Sequence, residues 1–276
     1  MSNDTLADFD RTEFTSHGRT APIYRIGTGP AVIVMSEMPG ITPNVADFAR
    51  KVAAIGCTAV MPHLFGVDGK DPMGGRISAL GAASTTLRAI VPACISREFT
   101  VLATGKSSPV VTWLRALAAQ EHERCGGVGV GAIGMCFTGG FALAMAADDR
   151  LVAPVLSQPS LPFAVNKRRA NSIDINADDL AKVKSRCAKG ELSVLGLRFQ
   201  GDKMSPPQRF GWLKEQLGDA FTAVELPDSA ANPDAMGPPH SVVTDGLIDE
   251  PGQPTRAALD QVLDLFRRRL LQPVVE

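Results

Sequence analysis

Cys136, Asp202 and His240, taken with Glu37, are the residues whose types and order could attack a carbonyl. The thiol lies in residues 128–144, which open as an apolar, glycine-spaced run and close as a small-residue helix. Between the two stands Gly134-Met135-Cys136-Phe137. A strand that breaks sharply into a helix leaves one side chain exposed at the turn. Gly134 and the small residues after the turn keep so tight a bend open. A helix starting just behind Cys136 would place its positive end at the sulfur and favour a thiolate. Most cysteines only pack, so the elbow needs partners.

Those partners follow from the chemistry. A thiol is only slightly ionised at neutral pH and needs a base or a positive neighbour. His240 can take and return the proton, and Asp202 can orient the imidazole and stabilise its cation. An oxyanion needs two backbone N–H donors. Phe137, directly after the sulfur, and Met38, after the first long strand, can supply them. Each residue also has a plainer reading: Asp202 as a turn residue, His240 as a surface-loop histidine, Glu37 as a salt-bridged rim carboxylate. Three of the four stand where strands end, and His240 follows the last strand. The chain order is nucleophile, acid, histidine, the order of α/β-hydrolases. The other histidines fit plain roles: His17 in an edge strand, His63 beside Pro62 near a strand end, His122 at the end of a polar helix.

The elements that must position these groups alternate. Residues 12–26 read as an edge strand or hairpin closing on a Gly27-Thr28-Gly29-Pro30 turn. Residues 31–36 are a short apolar strand of the kind buried on both faces. A helix over 44–55, with Asn44 as N-cap and Gly56 as stop, leads to a strand at 58–61. Strand, helix, strand implies parallel pairing. Residues 63–85 form a long Gly-, Asp- and Pro-rich loop. Helical pattern returns at 86–104 and at 108–120, where Trp113, Leu114 and Leu117 mark a buried side. Strands follow at 151–156, 192–199 and 221–226, with helices at 178–188, 206–217 and 255–271. Residues 157–190 read as an exposed excursion, because 157–177 are polar, proline-spaced and carry Lys167-Arg168-Arg169. The expectation is one α/β-hydrolase domain over 1–276, a mainly parallel central sheet with helices on both faces and residues 1–30 as its edge. In such sheets ligands bind beyond the carboxyl ends of the strands.

Composition narrows the partners. With Lys+Arg 28 against Asp+Glu 29 the net charge is −1, and nothing asks for nucleic acid or an anionic membrane surface. No apolar run is long enough to span a membrane, and the acidic N-terminus is no signal peptide. The five cysteines are odd in number and form no C-x-x-C, which fits a reducing cytoplasm and argues against structural zinc. No metal or organic cofactor is needed, and a monomer or homodimer is expected.

On Glu37, Gly134-Met135-Cys136-Phe137, Gly201-Asp202 and His240, the chain resembles the dienelactone hydrolases, the cysteine branch of the α/β-hydrolases, over most of 30–270. The resemblance implies Cys136, Asp202 and His240 as a triad, and a small-molecule ester or lactone as the partner it acts on. It also implies that Glu37 faces the thiol and shifts as substrate binds, turning a quiescent thiol into a thiolate. Three departures stand out. Thr138 occupies the first of the family's paired glycines in G-x-C-x-G-G. Thr244 stands where the family has a substrate-binding arginine, four residues after the histidine. The segment from Cys136 to Asp202 is longer, the extra length falling near 160–190. A second family arginine matches Arg97 best, with Arg76 or Arg88 as alternatives. Arginine suits a substrate carboxylate because its fork pairs bidentately.

Two other functions compete. Gly129-x-Gly131-x-x-Gly134 spells a dinucleotide fingerprint, but those glycines fall inside the expected strand and no strand-end acid follows about twenty residues on. A hydrolase fold without catalysis could serve as a ligand-binding module.

Overall fold

The computed structural model describes residues 2–71, 104–235 and 237–271. Arg76, Arg88, Arg97, Cys94 and, but for its last position, the helix expected at 86–104 lie outside the described residues.

Eight strands form one sheet: β1 Asp10–Ser16, β2 Arg19–Gly27, β3 Ala31–Met35, β4 Thr58–Pro62, β5 Val130–Met135, β6 Leu151–Ser157, β7 Val194–Phe199 and β8 Phe221–Leu226. Their order across the sheet is β1-β2-β4-β3-β5-β6-β7-β8. The β1–β2 hairpin is antiparallel and joins β4 antiparallel, while all pairs from β4 to β8 are parallel. β3, β4, β5 and β7 are buried along their length, as continuous apolar runs covered on both faces should be. The glycines of the dinucleotide spelling, Gly131 and Gly134, lie inside β5 rather than in a loop after it. His17 corrects one expectation. With φ 49° beside Gly18 at 75° it forms the hairpin turn and is no part of a strand, as a two-residue primed turn requires.

Helices cover both faces. α1 (Pro43–Ala54) packs Val45, Phe48 and Val52 against one face. α2 (Val110–Cys125) lays Trp113, Leu114 and Leu117 on the other. There they join α3 (Phe141–Met145), α5 (Ala177–Ala188) and α6 (Pro207–Leu217), with α4 (Lys167–Ala170) preceding α5 in the chain. α7 (Pro254–Phe266) returns to the α1 side through Leu259, Val262 and Phe266. The N-cap of α1 is Thr42, whose hydroxyl accepts from the Val45 amide at 3.3 Å. Pro43 then takes the first helical position, where its missing N–H costs nothing. Asn44 reaches instead to Asp245 at 3.1 Å.

The excursion over 157–190 is exposed only in part. Residues 157–162 and 173–175 are buried, whereas 165–168 face solvent. The cause is Arg209 on α6, itself fully buried. Its guanidinium donates to the carbonyls of Ser172 (2.7 Å), Pro159 (2.5 Å), Pro162 (2.6 Å), Arg169 (3.2 Å) and Met204 (3.3 Å). Irregular backbone can be buried only where its carbonyls find donors. Here one side chain supplies them.

The sharp bend after β5 has no room at its base. A Cβ on Gly134 would lie 2.1 Å from the Thr138 carbonyl oxygen. Gly134→Ala should therefore destabilise the fold by about 2 kcal/mol through overpacking against backbone. A denaturant midpoint equal to wild type would show that the bend has slack.

Candidate active site

Cys136 follows the last residue of β5 and has φ 53°, a left-handed conformation unusual for a residue other than glycine. Its carbonyl accepts from the amides of Gly139 (3.0 Å) and Ser160 (2.8 Å). The Thr138 hydroxyl accepts from the Met135 amide at 2.9 Å. It also lies within donor reach of the carbonyls of Met35 (3.0 Å), Met135 (3.1 Å) and Ser36 (3.2 Å). Thr138 thus ties the end of β3 to the end of β5, a role that a glycine there could not fill. The helix behind the sulfur is shorter than expected. Residues 136–138 make one 310 turn, and α3 begins only at Phe141 and ends at Met145. So short a helix carries little dipole, and positive charge at the sulfur has to come from a side chain.

That side chain is His240. Its Nδ1 bonds the Asp202 Oδ2 at 2.7 Å. The other Asp202 oxygen accepts from the amides of Met204 (2.9 Å) and Ser205 (3.2 Å), so the carboxylate is fixed from both sides. The remaining ring nitrogen, Nε2, is buried and forms no hydrogen bond of good geometry. The ring nonetheless interacts with Cys136. Burial alone would push the imidazole pKa down, but the Cys136 sulfur and then Asp202 outweigh it and raise it well above the ordinary value. Sulfur and ring are thus electrostatically coupled, with no hydrogen bond formed at Nε2. Cys136 is half-buried and reachable.

Glu37, two residues beyond β3, is buried in the same pocket. Its carboxylate accepts from Ser241 Oγ (2.5 Å), from Gln158 Nε2 (3.0 Å) and from the Thr244 hydroxyl. Burial pushes its pKa up against the pull of Ser241, Thr244 and the His240 charge, with Asp245 adding to the rise. Gln158 was not foreshadowed by any motif. Neither was Arg209, whose pKa burial lowers to about 10. Met38 sits in a turn closed by the Gly40 amide on the Glu37 carbonyl at 2.8 Å. Phe137 is the second residue of the one-turn 310 helix, where an amide has no helical carbonyl to meet. The Phe137 ring stacks edge-on between Phe65 (5.7 Å) and Phe163 (6.4 Å), within the core cluster against which Cys136 packs. Among the described residues no cluster of His, Cys, Asp and Glu has metal-site geometry.

The strand order, with its reversal between β3 and β4, and the left-handed residue between β5 and α3 define an α/β-hydrolase. The chain belongs to the dienelactone hydrolase family, whose model matches residues 21–177. That span holds Glu37 and Cys136 but neither Asp202 nor His240. Family membership makes the protein a hydrolase. No curated protein matches the sequence. Among solved structures, a protein classed as a dienelactone hydrolase from Klebsiella pneumoniae is 19% identical, with 94% of this chain and 98% of that one covered and a TM-score of 0.62. A dienelactone hydrolase-like promiscuous phosphotriesterase from metagenomic libraries is 18% identical, with coverage of 95% and 98% and a TM-score of 0.58. A dienelactone hydrolase from Anabaena variabilis is 15% identical, with coverage of 95% and 99% and a TM-score of 0.55. At these identities the likeness is one of fold alone. No helix among the described residues is long and apolar enough to cross a membrane.

The raised imidazole pKa has a direct check. Cys136→Ser removes the charge that sulfur can carry and leaves Asp202 in place. The His240 titration midpoint, followed by NMR of the ring protons, should then fall toward the ordinary histidine value. An unchanged midpoint would mean that the sulfur does not act on the ring.

Proposed function

We infer that this hydrolase cleaves a carboxylic ester or lactone through an acyl-enzyme on Cys136, with His240 as proton carrier and Asp202 as its orienter. The observation that carries the reading is the 2.7 Å bond from His240 to Asp202 with the same ring beside the half-buried sulfur of a left-handed elbow. The sulfur attacks the carbonyl carbon, an S–C bond forms and the carbonyl oxygen becomes an oxyanion. The amides of Phe137 and Met38 receive that charge. The C–O bond then breaks, and the imidazolium gives its proton to the leaving oxygen. Water attacks the thioester, His240 takes a proton from it, and the S–C bond breaks to release the acid. Sulfur and imidazole are left as they began. No step calls on a metal or an organic cofactor.

Position 244, a threonine that donates to Glu37, offers no charge to a substrate carboxylate.

Cys136→Ala should lower turnover of p-nitrophenyl acetate by about 10⁴-fold or more, the loss typical of removing a nucleophile. Turnover that survives the substitution would reject the mechanism. Iodoacetamide should also modify Cys136 ahead of the other free cysteines of the described residues, Cys57, Cys125 and Cys187. Burial raises the Cys57 thiol to about 11 and raises Cys187 as well, leaving both slow to react. Peptide mapping after brief labelling reads the order.

A further inference from the structure

The bond from His240 Nδ1 to Asp202 fixes one ring nitrogen and leaves the ring free to pivot about it. What stops the pivot is the loop that follows, residues 241–244, and its contacts converge on two buried side chains. Ser241 Oγ donates to Glu37 Oε2 at 2.5 Å, and the Thr244 hydroxyl donates to Glu37 Oε1. The Val242 amide donates to Gln158 Oε1 at 3.3 Å. Gln158 Nε2 then donates to Glu37 Oε2 at 3.0 Å, closing the set. The Ser157 hydroxyl also donates to Gln158 Oε1, so the amide has one orientation: oxygen toward the loop, nitrogen toward Glu37.

Gln158 is fully buried and directly follows β6. Its φ is 34°, in the left-handed region although it is no glycine. Its amide bonds the Leu197 carbonyl at 2.7 Å, and its carbonyl accepts from Ser160 Oγ at 3.1 Å. A strained residue whose every polar group is engaged, two positions before the Ser160 amide that bonds the Cys136 carbonyl, is the kind of local strain that surrounding structure maintains for a purpose.

We propose that Gln158 and Glu37 are positioning residues: a buried clamp of neutral hydroxyl and amide donors around one carboxylate that sets His240 over Cys136. Glu37 in this chain works through the histidine loop and not as a base toward the sulfur. All three of its donors, Ser241, Thr244 and Gln158, are neutral. Turning the carboxylate to the thiol would take the acceptor from all three, of which Gln158 and Thr244 are buried. The charged or titratable groups that bear on the clamp are Cys136 at the elbow, Asp202 after β7, and His240 and Asp245 after β8. The clamp rests on the reading of Cys136 and His240 as the reacting pair.

The test measures the rate of Cys136 alkylation by iodoacetamide against pH, which needs no turnover, alongside kcat and KM for p-nitrophenyl acetate. The variants are Gln158→Leu, the double variant S241A/T244V, and the milder Ser241→Ala with Ser241→Thr as rescue. Thermal melts confirm folding, and Ser241→Ala, which removes one half-buried hydroxyl, keeps the test open if the others fail to fold. The clamp predicts alkylation profiles displaced to higher pH. It also predicts kcat lowered about tenfold to a hundredfold with KM within about twofold, the pattern of a misplaced proton carrier. Ser241→Thr should return toward wild type. If Glu37 were instead a base for the sulfur, freeing it in S241A/T244V would leave alkylation as fast as wild type or faster, and that result overturns the proposal. Profiles unchanged in both Gln158→Leu and Ser241→Ala overturn it too. Displaced alkylation profiles in a protein that cleaves no ester would support the clamp while refuting the hydrolytic assignment, so the two failures are distinguishable.

Discussion

One backbone conformation governs the rest: Cys136 at φ 53°, left-handed and not glycine. Such a residue costs about 1–2 kcal/mol in an L-chain and persists only where its surroundings fix it from several sides. β3 contributes the Met35 and Ser36 carbonyls that the Thr138 hydroxyl can reach, and β5 contributes the Met135 amide and carbonyl. The chain leaving β6 contributes the Ser160 amide on the Cys136 carbonyl at 2.8 Å. The same segment presses against the bend from outside, for a Cβ on Gly139 would come within 2.4 Å of the Pro159 Cα. Three neighbouring strands thus agree on one geometry, and the sulfur is held where the sheet ends.

Buried guanidiniums hold the chain around that bend. Arg209 binds the carbonyls of Pro159 and Met204 together. Pro159 is the residue that walls Gly139, and the Met204 amide bonds the Asp202 carboxylate. A single side chain on α6 therefore couples the wall of the elbow to the loop that carries the acid. Arg186 does similar work lower in the same layer, gathering the carbonyls of Ala146 (2.7 Å), Leu151 (2.8 Å) and Asp148 (2.9 Å) between α3 and β6. A planar fork with five donors can satisfy several carbonyls at once, which an ammonium on a flexible stem cannot do with the same order.

Strand ends were the most legible feature of the sequence, and the candidate site residues were singled out because they sit there. The apolar runs at 31–36, 58–61 and 221–226 become β3, β4 and β8 with shifts of at most one residue. Glu37, Cys136 and Asp202 follow from where such runs stop. What local pattern could not show are contacts made across long separations. The polar, charged segment after β6 looks solvated from its own composition, yet Arg209 lies far along the chain and buries part of it. Gln158 carries no motif because its role exists only once Glu37 and residue 242 come to it from opposite ends of the sequence. The short α3 is a different kind of miss. Small residues there satisfied a helix pattern, but the chain first spends one 310 turn on the bend itself.

Two carboxylates share this pocket, and their surroundings divide their roles. Asp202 touches the imidazole directly, and two backbone amides hold its second oxygen in place. Glu37 touches no ring nitrogen; its lone pairs are taken by the loop that carries the ring, and the charge on His240 reaches it only through space. The sulfur and Asp202 both raise the imidazole pKa against the effect of burial, and so favour the protonated ring. That proton is useful only if Nε2 stays beside the sulfur while a substrate arrives, since a displacement of about 1 Å can cost two orders of magnitude in rate. On the proposed reading, Asp202 orients the ring and the contacts of Glu37 set its place. In the proposed division, neutral hydroxyls at 241 and 244 anchor the loop on Glu37, and Asp202 remains the one carboxylate bonded to the ring.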